Sequence, residues 1–289
     1  MVIVQSLWVG DKLSQMEQYS IKSFLNTGHE YHLYTYNKIK GIPKGVKIKS
    51  GNKIMPKKDI FKMQDTFLPF SDIFRYKLLY EKGNYWVDLD MICLKKLDFK
   101  EPFIFSSERT IQKGAYKMVV KFVPNIGVLK APPKSEFYRE LFEKCMEYHK
   151  KSKSKEKITY MRLLREMIDE YKYKKYVKPP KYFCNLDWWD AKHAFCETTE
   201  FRNKYGVKAK TLKNMFHGPY TVHFWRNLAT NKYKLDIDGE FEDGTLWELM
   251  KDIVDGKRIP KLTKNKTKKR TKNWSKKRKN SNLNNGCKR

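Results

Sequence analysis

The first 36 residues hold the pattern that most limits the fold. Val2 to Val9 is a short apolar run closed by Gly10. Asp11 stands where a helix cap is needed, and Leu13, Met16, Ser20, Ile21 and Phe24 follow at helical spacing before Gly28. A second strand-like run, Tyr31 to Tyr36, comes next. Strand, helix and strand in so short a stretch read as a crossover unit, which brings two strands parallel in one sheet and places the chain in the α/β class.

Beyond a Gly-, Pro- and Lys-rich stretch, Pro69-Phe70-Ser71 leads into a helix expected over 72–82, with Ser71 as its N-cap and Gly83 just past its end. The segment Tyr85-Trp86-Val87-Asp88-Leu89-Asp90-Met91-Ile92-Cys93 then places Tyr, Val, Leu, Met and Cys at odd positions, and Trp86, Asp88 and Asp90 at even ones. As a single strand it puts both carboxylates on one face, opposite an apolar face. Two ionised acids held together repel, and a divalent cation relieves that. A bare Asp-x-Asp is more often the mark of a strand entering a solvated turn. Strands near Phe103 to Phe105 and Met118 to Leu129 should precede a helix over 135–149. A second helix carries Ile158, Met161, Leu164, Ile168 and Tyr171.

Composition narrows the class. The chain has 289 residues and a net charge of +30, but residues 257–289 hold 15 Lys or Arg and no acid, so half of the excess lies in a terminal tail. With almost nothing apolar to bury, 257–289 is expected to be disordered, and 1–256 to form the folded domain. The tail's charge suits an anionic membrane or nucleic acid. A mutational bias towards Lys and Asn accounts for it as well. The five cysteines form no Cys-x-x-Cys pair, which argues against a zinc site or disulfide framework. No apolar run is long enough for a transmembrane segment, and no leader is evident at the N-terminus, so a cytoplasmic location is expected. Neither a Walker A motif nor Gly-x-Gly-x-x-Gly is present.

The stretch SDIFRYKLLYEKGNYWVDLDMICLKKL, with Asp72, Arg75, Asp88 and Asp90 in register, resembles the sugar-binding DXD region of glycosyltransferase family 32. That group is related to capsular polysaccharide synthesis enzymes, α-1,4-glycosyltransferases and clostridial glucosylating toxins. Ser6-Leu7-Trp8-Val9-Gly10 is similar to the family's opening strand, Pro124-Asn125-Ile126-Gly127 to a segment whose Asn faces donor sugar or acceptor, and His223-Phe224-Trp225 to a late metal and phosphate element. The resemblance implies a GT-A fold with a mixed, mostly parallel central sheet. It also implies transfer of a hexose from a UDP- or GDP-sugar to a hydroxyl of a glycan, protein or lipid-linked acceptor, dependent on Mn²⁺ or Mg²⁺ and with retention.

By the same resemblance Asp88, Asp90 and His223 hold the metal, and Asp72 with Arg75 holds the sugar's hydroxyls. Ser6, Trp8, Tyr76, Trp86, Asn125 and Trp225 bind the donor, Trp8 by stacking on its base. Two departures stand out: Asn84 replaces a second glycine, in a position where Asn tolerates positive φ, and Arg226-Asn227-Leu228-Ala229 lacks the family's second Trp. Asn185 to Asp190 is rich in acids and aromatics, as sugar sites are and as packed surface loops are too. The alternative from another class is an inactive sugar-transferase fold that binds nucleic acid through its basic surface.

Overall fold

The computed structural model describes residues 1–63, 65–113, 118–151, 160–198 and 218–257, so Ile158 and nearly all of the basic tail lie outside the described residues. Two compact units are present. The first comprises residues 1–187 and 218–224, and the described parts of the second are 188–198 and 225–257.

The first unit is built on a six-stranded sheet. In chain order β1 (Ile3–Trp8), α1 (Gln15–Asn26), β2 (Glu30–Thr35) and β3 (Lys47–Ser50) form its parallel side. Next come α2 (Leu68–Lys82), β4 (Asn84–Val87) and the short β5 (Met91–Cys93). They are followed by β6 (Ile104–Lys113), β7 (Met118–Ala131), α3 (Glu136–Lys151), α4 (Tyr160–Glu170) and α5 (Pro180–Phe183). The strand order is β3-β2-β1-β4-β7-β6, with β3, β2, β1 and β4 parallel and β7 antiparallel to both β4 and β6. The mixed, mostly parallel sheet is therefore as expected. The second unit contains α6 (Ala191–Cys196) and α7 (Leu246–Val254), where Phe195 packs against Phe241 and Trp247.

Local boundaries differ from the sequence reading for identifiable reasons. Asp11 does not cap α1. Leu13 donates to the Lys40 carbonyl and Lys40 to that of Asp11, which holds 11–13 extended, so the helix starts after Ser14. The Ser14 N–H donates to Glu17 at 2.7 Å, one arm of a capping box. Likewise α2 begins at Leu68 rather than Asp72, because Pro69 in the first turn has no N–H that the helix needs. Gly83 ends it at φ 59°, and Asn84 follows at φ 66°, the positive value expected of it.

The larger correction concerns 85–93, which is not one strand. β4 stops at Val87, residues 88–90 turn, and β5 leaves the main sheet to pair with β8 (Thr221–His223). On its other side β5 is held by α1. Ser20 donates to the Met91 carbonyl at 2.8 Å, and the Cys93 N–H donates to Ser23 at 2.8 Å. These two serines replace a missing strand partner, which explains why polar residues occupy the buried face of α1. One hydrophobic cluster joins Leu7, Phe70, Phe74, Trp86, Phe105 and Leu129 to Phe137, Leu141, Leu164 and Ile168, fixing α2, α3 and α4 on the sheet. Among the described residues no helix is long and apolar enough to cross a membrane.

Candidate active site

The turn at 88–90 lies at the carboxyl end of β4, beside the carboxyl end of its parallel neighbour β1. Open α/β sheets present ligands at this edge. The Asp88 N–H donates to the Gly127 carbonyl at 2.9 Å, and the Asp90 carbonyl accepts the Phe224 N–H at 2.9 Å. The register of β5 against β8 sets Met91 opposite His223, which brings the imidazole to Asp90, with Nε2 and Oδ1 3.1 Å apart. Asp88, Asp90 and His223 each offer a ligand atom, all within 4.8 Å of one another. Two carboxylates and an imidazole so close, with His223 buried and the acids partly so, fit a divalent cation such as Mn²⁺ or Mg²⁺. Burial alone would lower the His223 pKa, but the charge and hydrogen bond of Asp90 raise it well above the ordinary value. Its Nδ1 faces the Cys184 thiol at 3.8 Å.

Behind this edge Arg75 is almost fully buried, at 2% exposure. Nε donates to the Ser71 carbonyl (3.3 Å), Nη1 to Asp88 (2.8 Å) and the Ile126 carbonyl (2.9 Å), and Nη2 to the Ser71 hydroxyl (3.3 Å), while Nη2 also forms an ion pair with Asp72 at 2.9 Å. Each guanidinium nitrogen thereby finds a partner within the protein. The guanidinium also lies 4.7 Å from the centre of the Trp86 ring, and the Trp86 indole N–H donates to the same Asp88 oxygen at 2.9 Å. Arg75 and Trp86 thus hold Asp88 in place. Burial pushes the Asp72 carboxyl up to about 7, with Arg75 opposing that shift and Asp88 adding to it.

The other expected residues fall into distinct places. Trp8, half-buried at the end of β1, shares the edge with Asp88 and spends its indole N–H on the Lys12 carbonyl at 3.1 Å. Ser6 is fully buried between Tyr31 (2.7 Å) and the Val87 carbonyl (2.5 Å), where it ties β1 to its neighbours. Tyr76 is fully buried, with its ring 6.2 Å from that of Tyr138. Asn125 is buried against Ser106, Glu108 and Gly127. Trp225 belongs to the second unit, where its carbonyl accepts from Leu228 and Ala229; its φ of 55° is unusual for a bulky residue. In the 185–190 stretch, Arg109 takes up both the Asp187 carboxylate and the Asn185 carbonyl. Trp188 and Trp189 meet edge to face in the second unit.

Sequence reasoning missed Ser106 and Glu108, and the part played by the Gly127 carbonyl. Opposite Ser106, β7 carries four residues, Asn125 to Val128, where regular pairing would place one. The available signal was Pro124, which a central strand tolerates only at an irregularity. This bulge supplies the carbonyls that bind Asp88 and Arg75.

Residues 14–110, about a third of the chain, match the family described as a glycosyltransferase sugar-binding region containing the DXD motif. The match includes Asp72, Arg75, Trp86, Asp88 and Asp90. No curated protein matches the chain significantly. Among solved structures, the PaToxG glycosyltransferase is similar at 12% identity over 58% of this chain and 69% of its own, with a TM-score of 0.43. The glycosyltransferase GlyE of Streptococcus pneumoniae TIGR4, in its apo form, shares 14% identity over 88% of this chain and 60% of its own, with a TM-score of 0.43. The bifunctional glycosyltransferase WbbM shares 9% over 78% of this chain and 45% of its own, at 0.41.

Proposed function

We propose that this chain is a glycosyltransferase of GT-A type that moves a hexose from a UDP- or GDP-sugar to a hydroxyl of a glycan, protein or lipid-linked acceptor, with retention at the anomeric carbon. The observation that carries the reading is the convergence of Asp88, Asp90 and His223 at the carboxyl edge of β4, with both acids in the segment that matches the DXD region. Those three side chains would hold Mn²⁺ or Mg²⁺, which when bound supplies charge neutralisation for a departing diphosphate. Arg75 and Trp86 keep Asp88 from swinging, so the site is arranged before donor arrives. Trp8, at the same edge, offers its ring for stacking on the base. Asp72, whose carboxyl burial pushes up to about 7 against the charge of Arg75, accepts or donates a hydrogen bond to a sugar hydroxyl.

The test is linkage. UDP-sugar is titrated into the wild type and into Asp90→Asn, each with Mn²⁺ or with EDTA. Donor and metal should strengthen one another by the same factor in the wild type, and that coupling should vanish in the variant. Equal donor affinity in all four titrations would defeat the reading.

A further inference from the structure

The bulge on β7 raises a question of support. Four consecutive carbonyls at the bulge face named groups: Pro124 accepts from Arg165 (2.8 Å), Asn125 faces the Ser106 hydroxyl (3.1 Å), whose one proton it shares with the Asn125 side chain, Ile126 accepts from Arg75 (2.9 Å) and Gly127 from the Asp88 N–H (2.9 Å). Two of the four partners belong to the candidate cation site or to its immediate support. The path of the bulge therefore sets where Asp88 stands.

The Asn125 side chain sets that path. Its Oδ1 accepts from the Gly127 N–H at 2.9 Å and from the Ser106 hydroxyl at 2.6 Å, folding residues 125–127 back on themselves. Those two donors fix the amide orientation, so Nδ2 faces Glu108 and donates to its carboxylate at 3.0 Å. Glu108 is 16% exposed and lies 3.9 Å from Arg165, which also holds the Pro124 carbonyl. Space is tight here: a Cβ on Gly127 would stand 3.3 Å from Asn125 Oδ1, 3.4 Å from the Met91 sulfur and 3.7 Å from His223 Cε1. A side chain at Gly127 would therefore press on the Asn125 amide oxygen.

We propose that Glu108 is a positioning residue for the cation site: it fixes the Asn125 amide, and through it the bulge whose carbonyls hold Asp88 and Arg75. This rests on the glycosyltransferase reading only in taking Asp88, Asp90 and His223 as the cation ligands. Glu108 stands on β6, opposite Val123 of β7 and 18 residues beyond Asp90 in sequence.

The test measures Mn²⁺ affinity of the full chain by calorimetry without donor, with the melting temperature recorded for each variant. Asn125→Asp faces one carboxylate with another and should weaken Mn²⁺ binding by about 10-fold or more, the range for groups that orient metal ligands from behind. Combining Asn125→Asp with Glu108→Gln rebuilds the bond with donor and acceptor exchanged at unchanged net charge. The double variant should return to near the wild-type affinity. A pair that serves stability alone would show this pattern in melting temperature and leave the affinity of the folded protein unmoved. Unchanged or tighter binding in Asn125→Asp, or no recovery in the double variant, overturns the inference. If Asn125→Asp does not fold, Glu108→Ala asks the same question, and wild-type affinity there overturns it equally. A wild type that binds no Mn²⁺ defeats the cation reading itself, whereas binding in the wild type without the pattern among variants defeats only the role of Glu108.

Discussion

Replacing Arg75 by Met keeps most of the side-chain volume and removes the charge that lies between two acids. The buried guanidinium satisfies Asp72, Asp88, the Ser71 hydroxyl and two backbone carbonyls, and stacks near Trp86. Removing one member of a buried pair leaves the other desolvated and uncompensated, which costs roughly 3–5 kcal/mol. At about 2–3 kcal/mol per molar of urea for a protein of this size, the midpoint should fall by about 1–2.5 M. The structure also predicts the sign of a double-mutant cycle. Asp72→Asn in the Arg75→Met background removes one of the two stranded carboxylates, so the double variant should be less destabilised than the sum of the singles by about 1–3 kcal/mol. Urea unfolding of the four proteins, followed by tryptophan fluorescence and by circular dichroism, supplies both quantities. Near-wild-type stability in Arg75→Met, or an additive cycle, would refute the claim that Arg75 is the buried counter-ion of both acids.

Three further outcomes are expected. His29 accepts the Leu97 N–H on Nε2 at 2.9 Å, so its proton is on Nδ1, and burial holds its pKa below the ordinary 6.5. The unfolded chain therefore binds the proton first as pH falls, so stability is full above about 6.5 and is lost below it; His29→Gln should flatten that slope in urea melts at pH 5 to 8, and a slope left unchanged would exclude His29 as its source. At Gly83, φ is positive and an added Cβ would lie 2.5 Å from the Pro133 nitrogen, so Gly83→Ala should lose about 2–4 kcal/mol of stability; a loss below about 0.5 kcal/mol would show the turn to be soft. Trp8→Ala should raise donor KM more than it lowers kcat, as loss of uniform binding does, and an unchanged KM would make Trp8 a packing residue.

Much of the fold was legible because its signals are local. The first crossover unit follows from apolar spacing within 36 residues, and the positive φ of Asn84 from the conformations that Asn tolerates. The segment 85–93 misled because strand alternation and a strand-turn-strand path leave similar patterns when the turn residue, Leu89, is itself buried. Residues far away in sequence decide between the two. Gly127 captures the Asp88 N–H, Phe224 donates to the Asp90 carbonyl, and Ser20 and Ser23 satisfy the edge of β5 that no strand among the described residues covers. None of these partners lies within 30 residues of the turn, so no window of the sequence contains the choice.

The same junction brings together the two acids that the sequence singled out, although the argument from a single strand failed. Asp88 and Asp90 come together because the chain leaves one sheet and enters another between them, and a turn at that junction directs both side chains towards His223 on the arriving strand β8. Alternation along a single strand would have placed them on one face but would have left His223 without a reason to be there. With the junction in place, pairing Met91 opposite His223 is enough to bring the imidazole within reach of the two acids. Two consequences follow for the site. Its geometry depends on the hydrogen bonds that end β4 and align β5, more than on the propensity of the segment that carries the acids. Substitutions at Ser20, Ser23 or Gly127, none of which offers a ligand, should therefore disturb cation binding, whereas the exposed end of the β6–β7 ribbon at Phe122, which is 64% exposed, should tolerate change.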